Sequence, residues 1–461
     1  MKSVAVLTNF QNVDSSYSLN HVVQNQIKML TTAGYTPKVC VAEGFVPIEA
    51  YALDGVTLFE IPKVRVTNNA SSAKDETFKE DIEALYDSYL AGLEGVDVVI
   101  THDLVYTPDN VKHQIAARKV AEKRPDIKWL HWIHSATTPH ILIQERRYYE
   151  DEYMAMIGVM FPNSYYVFFN DWSKRRIAAN FRVPVDRVKT VYHPTDVQEF
   201  LGIGGLTQEI ITKGNLLSAD LITTYPIRMD RGKQPSIVLE MMIRLRNEGF
   251  STKCVIVDFA SSSKDPNDDK FKLRQELKDM ANDWAYSDDL IFTSEVSPEM
   301  SYSVPHSVIR DLMLLSDIFV IASRSESYSL VTQEAILAKN LVILNDDFPP
   351  FKEIFGDNLS IRIGSAVNRD TGLDGESTPN YMPSREAYME AITKEIIAKI
   401  YANGLIMTHS KIRKERNLDY VWKHQLEPLI EGGDSAKRFG STTTTLPDVD
   451  IIAAMDTLSN S

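Results

Sequence analysis

The sequence predicts an α/β protein of two doubly wound, Rossmann-like domains facing a central cleft, and three observations support this prediction. The chain has 461 residues, too many for one ordinary hydrophobic core. Short β-rich runs alternate with longer amphipathic ones, the pattern of parallel sheets covered by helices. The alternation restarts after a glycine-containing link at residues 201–220.

The strands of the first domain are predicted from apolar runs between polar turns. A helix is predicted at residues 19–34, because its apolar residues fall on one face and Gly34 suits a C-terminal cap. The predicted strands are SVAVLTNF (3–10), PKVCVA (37–42), TLFEIP (57–62), VDVVITHD (96–103), KWLHWIHS (128–135) and GVMFPNS (158–164).

The second domain repeats the pattern, with helices such as SIVLEMMIRLRNEG (236–249). Its predicted strands are LITTYPI, KCVIVDF, DLIFTSEV, DIFVIAS and NLVILND. The expected domains are 1–200, completed by a C-terminal helix at about 410–432, and 201–409, followed by a polar, flexible tail at 436–461. In such sheets ligands bind at the carboxyl ends of the strands.

Composition indicates a soluble cytoplasmic protein, with peripheral membrane association as an alternative. No uncharged apolar run is long enough to span a membrane, and the first residues lack the apolar centre of a signal peptide. The net charge of −14 argues against a surface that coats nucleic acid uniformly. Cys40 and Cys254 lie in strand-like runs and are expected to be buried free thiols.

Several common catalytic motifs do not occur in the sequence. There is no G-x-G-x-x-G after a strand and no G-x-x-x-x-G-K-[ST], which argues against a dinucleotide dehydrogenase or a P-loop kinase. HExxH, CxxC pairs and G-x-S-x-G are absent as well. The chemistry must therefore come from polar residues that follow individual strands.

Arg228 and Lys233 follow the strand LITTYPI on one strand-to-helix loop. Two fixed cations beside a helix N-terminus suit a diphosphate, because the cations and the free amides both favour negative charge. A solvated charged loop is the alternative interpretation. The loop is therefore a candidate phosphate site.

Residues 323–344, SRSESYSLVTQEAILAKNLVIL, place Glu326 and Glu334 eight positions apart. Ser329 is predicted to be the N-cap of a helix, which leaves the next amides able to bind an anion. Glu326 precedes these amides and can reach a neutral polar group beyond the phosphate. Glu334 lies beside the apolar face, where sugar hydroxyls can supply donors to a partly buried carboxylate. An ordinary helix glutamate paired with a lysine or arginine is the alternative for Glu334.

An Arg-x4-Lys pair followed about 100 residues later by Glu-x7-Glu resembles the donor site of the retaining family-4 glycosyltransferases, which have the GT-B architecture. VDRVKTVYHPTDVQEF (185–200) is similar to the segment that ends the family's first domain, and KWLHWIHS carries His134 where the family commonly has a histidine. The resemblance spans roughly residues 1–430. It departs at QNVDSSYSLNH (11–21) and at residues 327–329, where the family has glycine-rich turns.

The resemblance implies a hexosyl- or pentosyltransferase that takes a UDP- or GDP-sugar and retains anomeric configuration. Arg228 and Lys233 would neutralise the leaving diphosphate, Glu326 would contact the transferred sugar, Glu334 would hold the ribose, and His134 would contact the sugar or the acceptor. The resemblance further implies front-face attack, in which the leaving phosphate takes the acceptor proton and neither metal nor cofactor is required.

The resemblance also implies an anion site at the amides of Ser329, Leu330 and Val331. Asp103 and Asp258, which follow predicted strands, are further candidate polar groups.

The acceptor side is expected in the first domain. Residues 112–189 contain 14 Lys/Arg and 8 Asp/Glu, a local balance of 14 − 8 = +6. Cations adjoin aromatic residues there, which suits nucleic acid or an anionic membrane surface; an aromatic core with a solvated cationic face is the alternative. The expected acceptor is a hydroxyl group of a glycan, a lipid-linked sugar or a hydroxymethylated nucleic-acid base. The candidate residues are Arg146, Arg147, Lys174, Arg175 and Arg176.

Two other functions fit the same architecture. A nucleotide-sugar epimerase would need acid and base groups around the sugar and no acceptor. A non-catalytic nucleotide-sugar binding protein would agree with the Ser327-Tyr328-Ser329 replacement of the glycine turn.

Overall fold

The structure is a computed structural model that describes residues 1–14, 16–64, 76–102, 104, 110–134, 159–258, 265, 267–323, 328–345, 349–356, 360–362 and 385–432. The chain divides into two compact units. Unit 1 comprises Met1–Pro194 and the chain from Leu418, and unit 2 comprises Thr195–Asn417. The domain boundaries expected from the sequence lie between residues 200 and 201 and between residues 409 and 410.

Unit 1 contains, in its described part, a seven-stranded parallel sheet of order β3-β2-β1-β4-β5-β6-β7. The strands are β1 (Val4–Leu7), β2 (Lys38–Ala42), β3 (Thr57–Ile61), β4 (Val98–His102), β5 (Lys128–Trp132), β6 (Ser164–Phe168) and β7 (Val188–Thr190). The described helices before residue 195 are α1 (Ser18–Thr32), α2 (Phe78–Gly92), α3 (Val111–Lys123) and α4 (Lys174–Phe181). Gly34 follows α1 with a φ of 85°, the left-handed conformation expected after a helix.

Unit 2 contains, among its described residues, a six-stranded parallel sheet of order β10-β9-β8-β11-β12-β13. The strands are β8 (Leu221–Pro226), β9 (Thr252–Val257), β10 (Leu290–Phe292), β11 (Ile318–Ile321), β12 (Leu341–Leu344) and β13 (Ser360–Arg362). The described helices are α5 (Val197–Phe200), α6 (Gly205–Gly214), α7 (Pro235–Asn247), α8 (Asp269–Asp283), α9 (Thr293–Val296), α10 (His306–Leu315), α11 (Leu330–Leu337), α12 (Pro349–Phe355), α13 (Arg385–Ala402) and α14 (Gly404–Glu415).

The chain returns to unit 1 through α15 (Leu418–Val421), a π-helical turn (Trp422–Leu426) and α16 (Glu427–Glu431). Trp422 contacts Tyr35 edge to face, with ring centroids 5.3 Å apart. The Tyr35 hydroxyl donates a hydrogen bond of 2.5 Å to Glu431. The apolar side chains of the returning segment share a buried layer with α1 and the first strands, so one hydrophobic core joins residues far apart in sequence.

The predicted fold class, α/β with two parallel sheets, is confirmed. Cys40 and Cys254 are buried free thiols, as expected. Within the part of the chain that the structure describes, each helix is too short or too polar to span a bilayer.

Four predicted elements need correction. The strand predicted at 158–164 begins instead at Ser164, because Asn163 has a φ of 42° and makes a turn there. The strand DLIFTSEV ends at Phe292 and continues as α9, since the Asp258 carboxylate accepts a hydrogen bond of 3.0 Å from the Ser294 amide in the first turn. The glycine-containing link carries α6. The helix expected at about 410–432 is interrupted between α14 and α15.

Candidate functional site

The loops after β8 and β11 leave the second sheet side by side. The two strands are adjacent and parallel, with Ile318 opposite Thr223. Successive strands run outward in one direction from β8 and in the other from β11, so strand order reverses between them. A switch point of this kind opens a crevice at the carboxyl ends of the strands. Both loops predicted to hold a diphosphate therefore start at this crevice.

Buried side chains and a hydrogen bond hold the loop after β8, which carries the two predicted cations. Ile227 and Met229 are buried, whereas Arg228 between them is exposed and Lys233 is half-buried. The Tyr225 hydroxyl donates a hydrogen bond of 2.6 Å to the Lys233 carbonyl oxygen. The loop backbone is therefore held by buried side chains near its start and by the Tyr225 hydrogen bond near its end. The Arg228 side chain is exposed to solvent.

The loop after β11 leads into α11, whose N-cap position is occupied by Ser329 as predicted. Its backbone is left-handed, with a φ of 69°, and its hydroxyl lies 2.8 Å from the Thr332 hydroxyl. Leu330 is exposed and Val331 is half-buried. Glu326 lies outside the described residues. Anion binding by the first amides of α11 stays a prediction.

Glu334 belongs to α11 and contacts His306, the first residue of α10. Its Oε1 is 2.8 Å from the Nε2 of His306, and a carboxylate oxygen accepts, so this nitrogen carries the hydrogen. The Glu334 side chain is 32% exposed. His306 is not among the residues predicted from the sequence, because no local pattern in HSVIRDLMLL indicates a partner 28 residues away. A groove of about 220 Å³ adjoins the pair, lined by His306, Arg310, Met313, Leu314, Glu334, Leu337 and Ala338.

His134 belongs to a row of rings at the carboxyl edge of the first sheet. His102 ends β4, His134 follows β5, Phe169 follows β6 and His193 follows β7, and these strands are neighbours in that order. The Nδ1 of His102 is 2.9 Å from the Nε2 of His134. The His134 ring is parallel to His193, with centroids 5.2 Å apart and planes 2° apart. Phe169 contacts His193 at 4.9 Å.

Burial keeps these imidazoles neutral. It lowers the pKa of His102 well below its ordinary value and that of His134 to about 3, with His193 adding to the effect on His134. The pKa of His193 is also lowered by burial. Near neutral pH each ring therefore offers one N–H donor and one nitrogen acceptor. His134 is thus a neutral hydrogen-bonding group.

We expect unit 1 to lose stability as the pH falls below about 6.5. Burial lowers the pKa of His131 to about 3 and that of His113 to about 4, whereas histidines of an unfolded chain titrate near 6.5. Between these values the unfolded state binds more protons. The free energy of unfolding is therefore highest above pH ~6.5. Below this pH it falls by about 1.4 kcal/mol per pH unit for each of these histidines.

Denaturant unfolding at about pH 7, 6 and 5 measures this slope. His131 bonds to the Thr101 hydroxyl at 2.9 Å. A His131→Gln variant can keep that bond without titrating. The free energy of unfolding of the variant should therefore fall less steeply with decreasing pH, by the contribution of about one proton. An unchanged slope in the variant would contradict the assignment.

Two cations of the basic region 112–189 have a structural role. Lys112 is buried and forms an ion pair of 2.5 Å with Asp81. Arg118 is buried over the Phe161 ring, 5.0 Å from its centroid. These cations are therefore not part of an exposed surface, contrary to what the local charge count suggested.

The start of α4 keeps an exposed group of cations and an aromatic ring. Trp172 is 86% exposed, and the Arg176 guanidinium lies 5.9 Å from the centroid of its ring. Arg175 is exposed, whereas Lys174 forms an ion pair of 2.8 Å with Asp171. The other two candidates, Arg146 and Arg147, lie outside the described residues.

Asp258, a further candidate polar group, has a structural role. It is fully buried, caps α9 and forms an ion pair of 2.9 Å with Arg274. Asp103 is outside the described residues. Within the described ranges, no group of three or more histidine, cysteine or acidic side chains is arranged to hold a metal ion, and metal-free transfer stays a prediction.

Residues 207–368, about a third of the chain, match the family model of glycosyl transferases group 1. The matched segment contains both loops at the switch point. No curated protein sequence matches the chain.

The chain is similar to several solved structures. One is a glycosyltransferase from Rickettsia africae, with 16% identity over 94% of this chain and 99% of that chain and a TM-score of 0.34. Another is a sucrose-phosphate synthase from Thermosynechococcus elongatus, with 14% identity over 100% of both chains and a TM-score of 0.31. Values this low add nothing to what the family match says. On that match, the second unit carries a glycosyl transferases group 1 domain and the chain is a glycosyltransferase.

Proposed function

We propose that the protein is a retaining glycosyltransferase that moves a sugar from a nucleotide-diphosphate sugar to a hydroxyl acceptor. The observation that carries the proposal is the adjacency of β8 and β11 inside the matched segment. This adjacency places the start of the Arg228 and Lys233 loop next to the start of the segment that leads to α11, which supports a shared diphosphate site. A diphosphate at the switch point would then meet cations from one loop and amides from the other.

In this proposal the donor lies along the edge of the second sheet. Arg228 and Lys233 stabilise the negative charge that develops on the leaving diphosphate. Cations that are already in place act most strongly in the transition state. Glu334 bonds the ribose hydroxyls, with its His306 contact retained on one oxygen. Glu326 contacts the sugar.

The transfer step exchanges one bond at the anomeric carbon for another on the same face. The bond from this carbon to the diphosphate oxygen breaks, and its electron pair stays on the diphosphate. The bond to the acceptor oxygen forms, and the acceptor proton passes to the departing phosphate. No metal or cofactor is part of this scheme.

The acceptor is proposed to approach through unit 1. Exposed Trp172, Arg175 and Arg176 support an acceptor that carries phosphate groups, because aromatic stacking and cations suit either a nucleic acid or an anionic lipid surface. His134 would contact the sugar or the acceptor hydroxyl.

A thermal-shift screen against UDP- and GDP-sugars tests the donor. A ligand that binds only the folded state at about 100 times its Kd stabilises it by about 2.7 kcal/mol, so the correct donor should raise the melting temperature more than the free nucleotide does. Transfer assays with that donor, on hydroxymethylated DNA and on a lipid-linked sugar in anionic vesicles, identify the acceptor. An epimerised sugar without transfer, or no shift with any nucleotide sugar, would contradict the proposal.

A further inference from the structure

The row of histidines in unit 1 continues into helix α1. The Nε2 of His102 is 2.8 Å from the Oε1 of Gln26. Gln26 is completely buried, and His102 is 4% exposed. A buried amide and a buried imidazole are costly unless they are hydrogen-bonded. The chain Gln26–His102–His134 therefore joins α1 to the carboxyl ends of β4 and β5.

The chain of hydrogen bonds has a direction. An amide oxygen only accepts, so the hydrogen in the Gln26 contact belongs to the Nε2 of His102. A neutral imidazole carries one hydrogen, and the Nδ1 of His102 is then an acceptor. The Nε2 of His134 must therefore donate to it, which leaves Nδ1 as the accepting atom of the His134 ring.

The plane of the His134 ring is restricted as well. His193 lies parallel to it on one side, and Phe169 supports His193 in turn. The hydrogen bond from His102 and this ring contact together allow little rotation of the imidazole. These two contacts therefore favour one orientation of the His134 ring before any substrate binds.

We propose that Gln26 and His102 are positioning residues, which hold His134 in its Nε2–H tautomer and in the orientation in which it meets a hydroxyl of the sugar or the acceptor. The contact with a substrate hydroxyl rests on the proposed function. The tautomer does not, because it follows from contacts within unit 1. A hydrogen-bonding side chain that is held in place favours catalysis, because a misplaced or wrongly protonated group loses its hydrogen bond in the transition state.

The tautomers can be measured without substrate from the ring ¹⁵N chemical shifts of the full-length protein, with His102→Asn and His134→Asn to assign the signals. We expect His102 and His134 both as Nε2–H forms in the wild type. In Gln26→Met, which has similar length and only a weakly accepting thioether sulfur, His102 should become a mixture of tautomers. An Nδ1–H form of His102 in the wild type, or unaltered shifts in Gln26→Met, would overturn the proposal.

Gln24 provides the matched control. It is also a buried glutamine of α1, but its amide donates to Glu49 and not to a histidine. Gln24→Met should leave the shifts of His102 and His134 unaltered. If it altered them as much as Gln26→Met does, the effect would come from α1 packing and the proposal would be wrong.

Transfer kinetics separate this proposal from the proposed function. Gln26→Met should lower kcat about tenfold or more, while the KM for the nucleotide sugar changes by about twofold at most; Gln24→Met should leave both near wild type. An active wild type with an equally active Gln26→Met would overturn the positioning role and leave the function intact. A wild type that transfers no sugar would reject the function, and the ¹⁵N shifts would still decide the tautomer.

Discussion

Replacing Arg228 by alanine is expected to lower kcat for sugar transfer about a hundredfold or more. Removal of one preorganised group that stabilises developing charge typically costs a factor of about 10² to 10³. Arg228 is exposed, so the variant should fold as the wild type does. Arg228→Lys keeps the charge but loses the planar fork, and an intermediate rate is expected. Steady-state kinetics with the donor found by the thermal-shift screen measure the effect.

Arg231 is the control for this prediction, because it is an arginine of the same loop with a different contact. Its guanidinium forms a bidentate ion pair with Glu276, at 2.6 and 2.8 Å. Both side chains are more than half exposed, and such pairs contribute little to stability. Arg231→Ala should therefore retain nearly full activity. If Arg228→Ala matched it, the proposed diphosphate site would be wrong.

Replacing Arg413 by methionine is expected to destabilise unit 2 by about 3–5 kcal/mol. Arg413 and Asp317 form an ion pair of 2.9 Å, and each side chain is 1% exposed. The guanidinium also donates to the Leu315 and Ala219 carbonyl oxygens at 2.8 and 3.0 Å. The Asp317 carboxylate accepts from the Ile222 amide at 2.9 Å. Without the arginine, a buried carboxylate loses its principal cation.

Denaturant unfolding with a probe in unit 2 measures this loss. Half-exposed His409, with its Nδ1 3.2 Å from Asp317, can compensate only in part. The double variant Asp317→Asn/Arg413→Met should regain part of the stability, because it removes the buried charge along with its partner. Lys411→Met, at an exposed position of the same helix, should have little effect. A loss below about 1 kcal/mol in Arg413→Met would refute the prediction.

The sequence predicted the elements whose signals are local. Runs such as VCVA and VVIT are apolar and β-branched enough to be recognised as buried strands of a parallel sheet. The strand at Ser164–Phe168 was misplaced because the aromatic run YYVFF follows a turn at Asn163 that periodicity alone does not show. The end of β10 depended on Asp258, which is distant in sequence.

The candidate site likewise contains residues that local sequence signals identify and residues that they do not. Arg228 and Lys233 could be identified because a strand end and a helix start lie close together in sequence. The partners of His134 could not, since His102 and His193 reach it, and Gln26 reaches His102, only when four strands and a helix have assembled. The pairing of Glu334 with His306 likewise depends on the packing of two helices.

The return of the chain to unit 1 has a consequence for biosynthesis. Residues 195–417 are contiguous, so unit 2 can fold as soon as it has left the ribosome. Unit 1 has most of its strands by residue 190, but its core still lacks Trp422 and its neighbours. The first unit to be synthesised is therefore the last to be completed, and its apolar layer stays open to chaperones while more than two hundred further residues are translated.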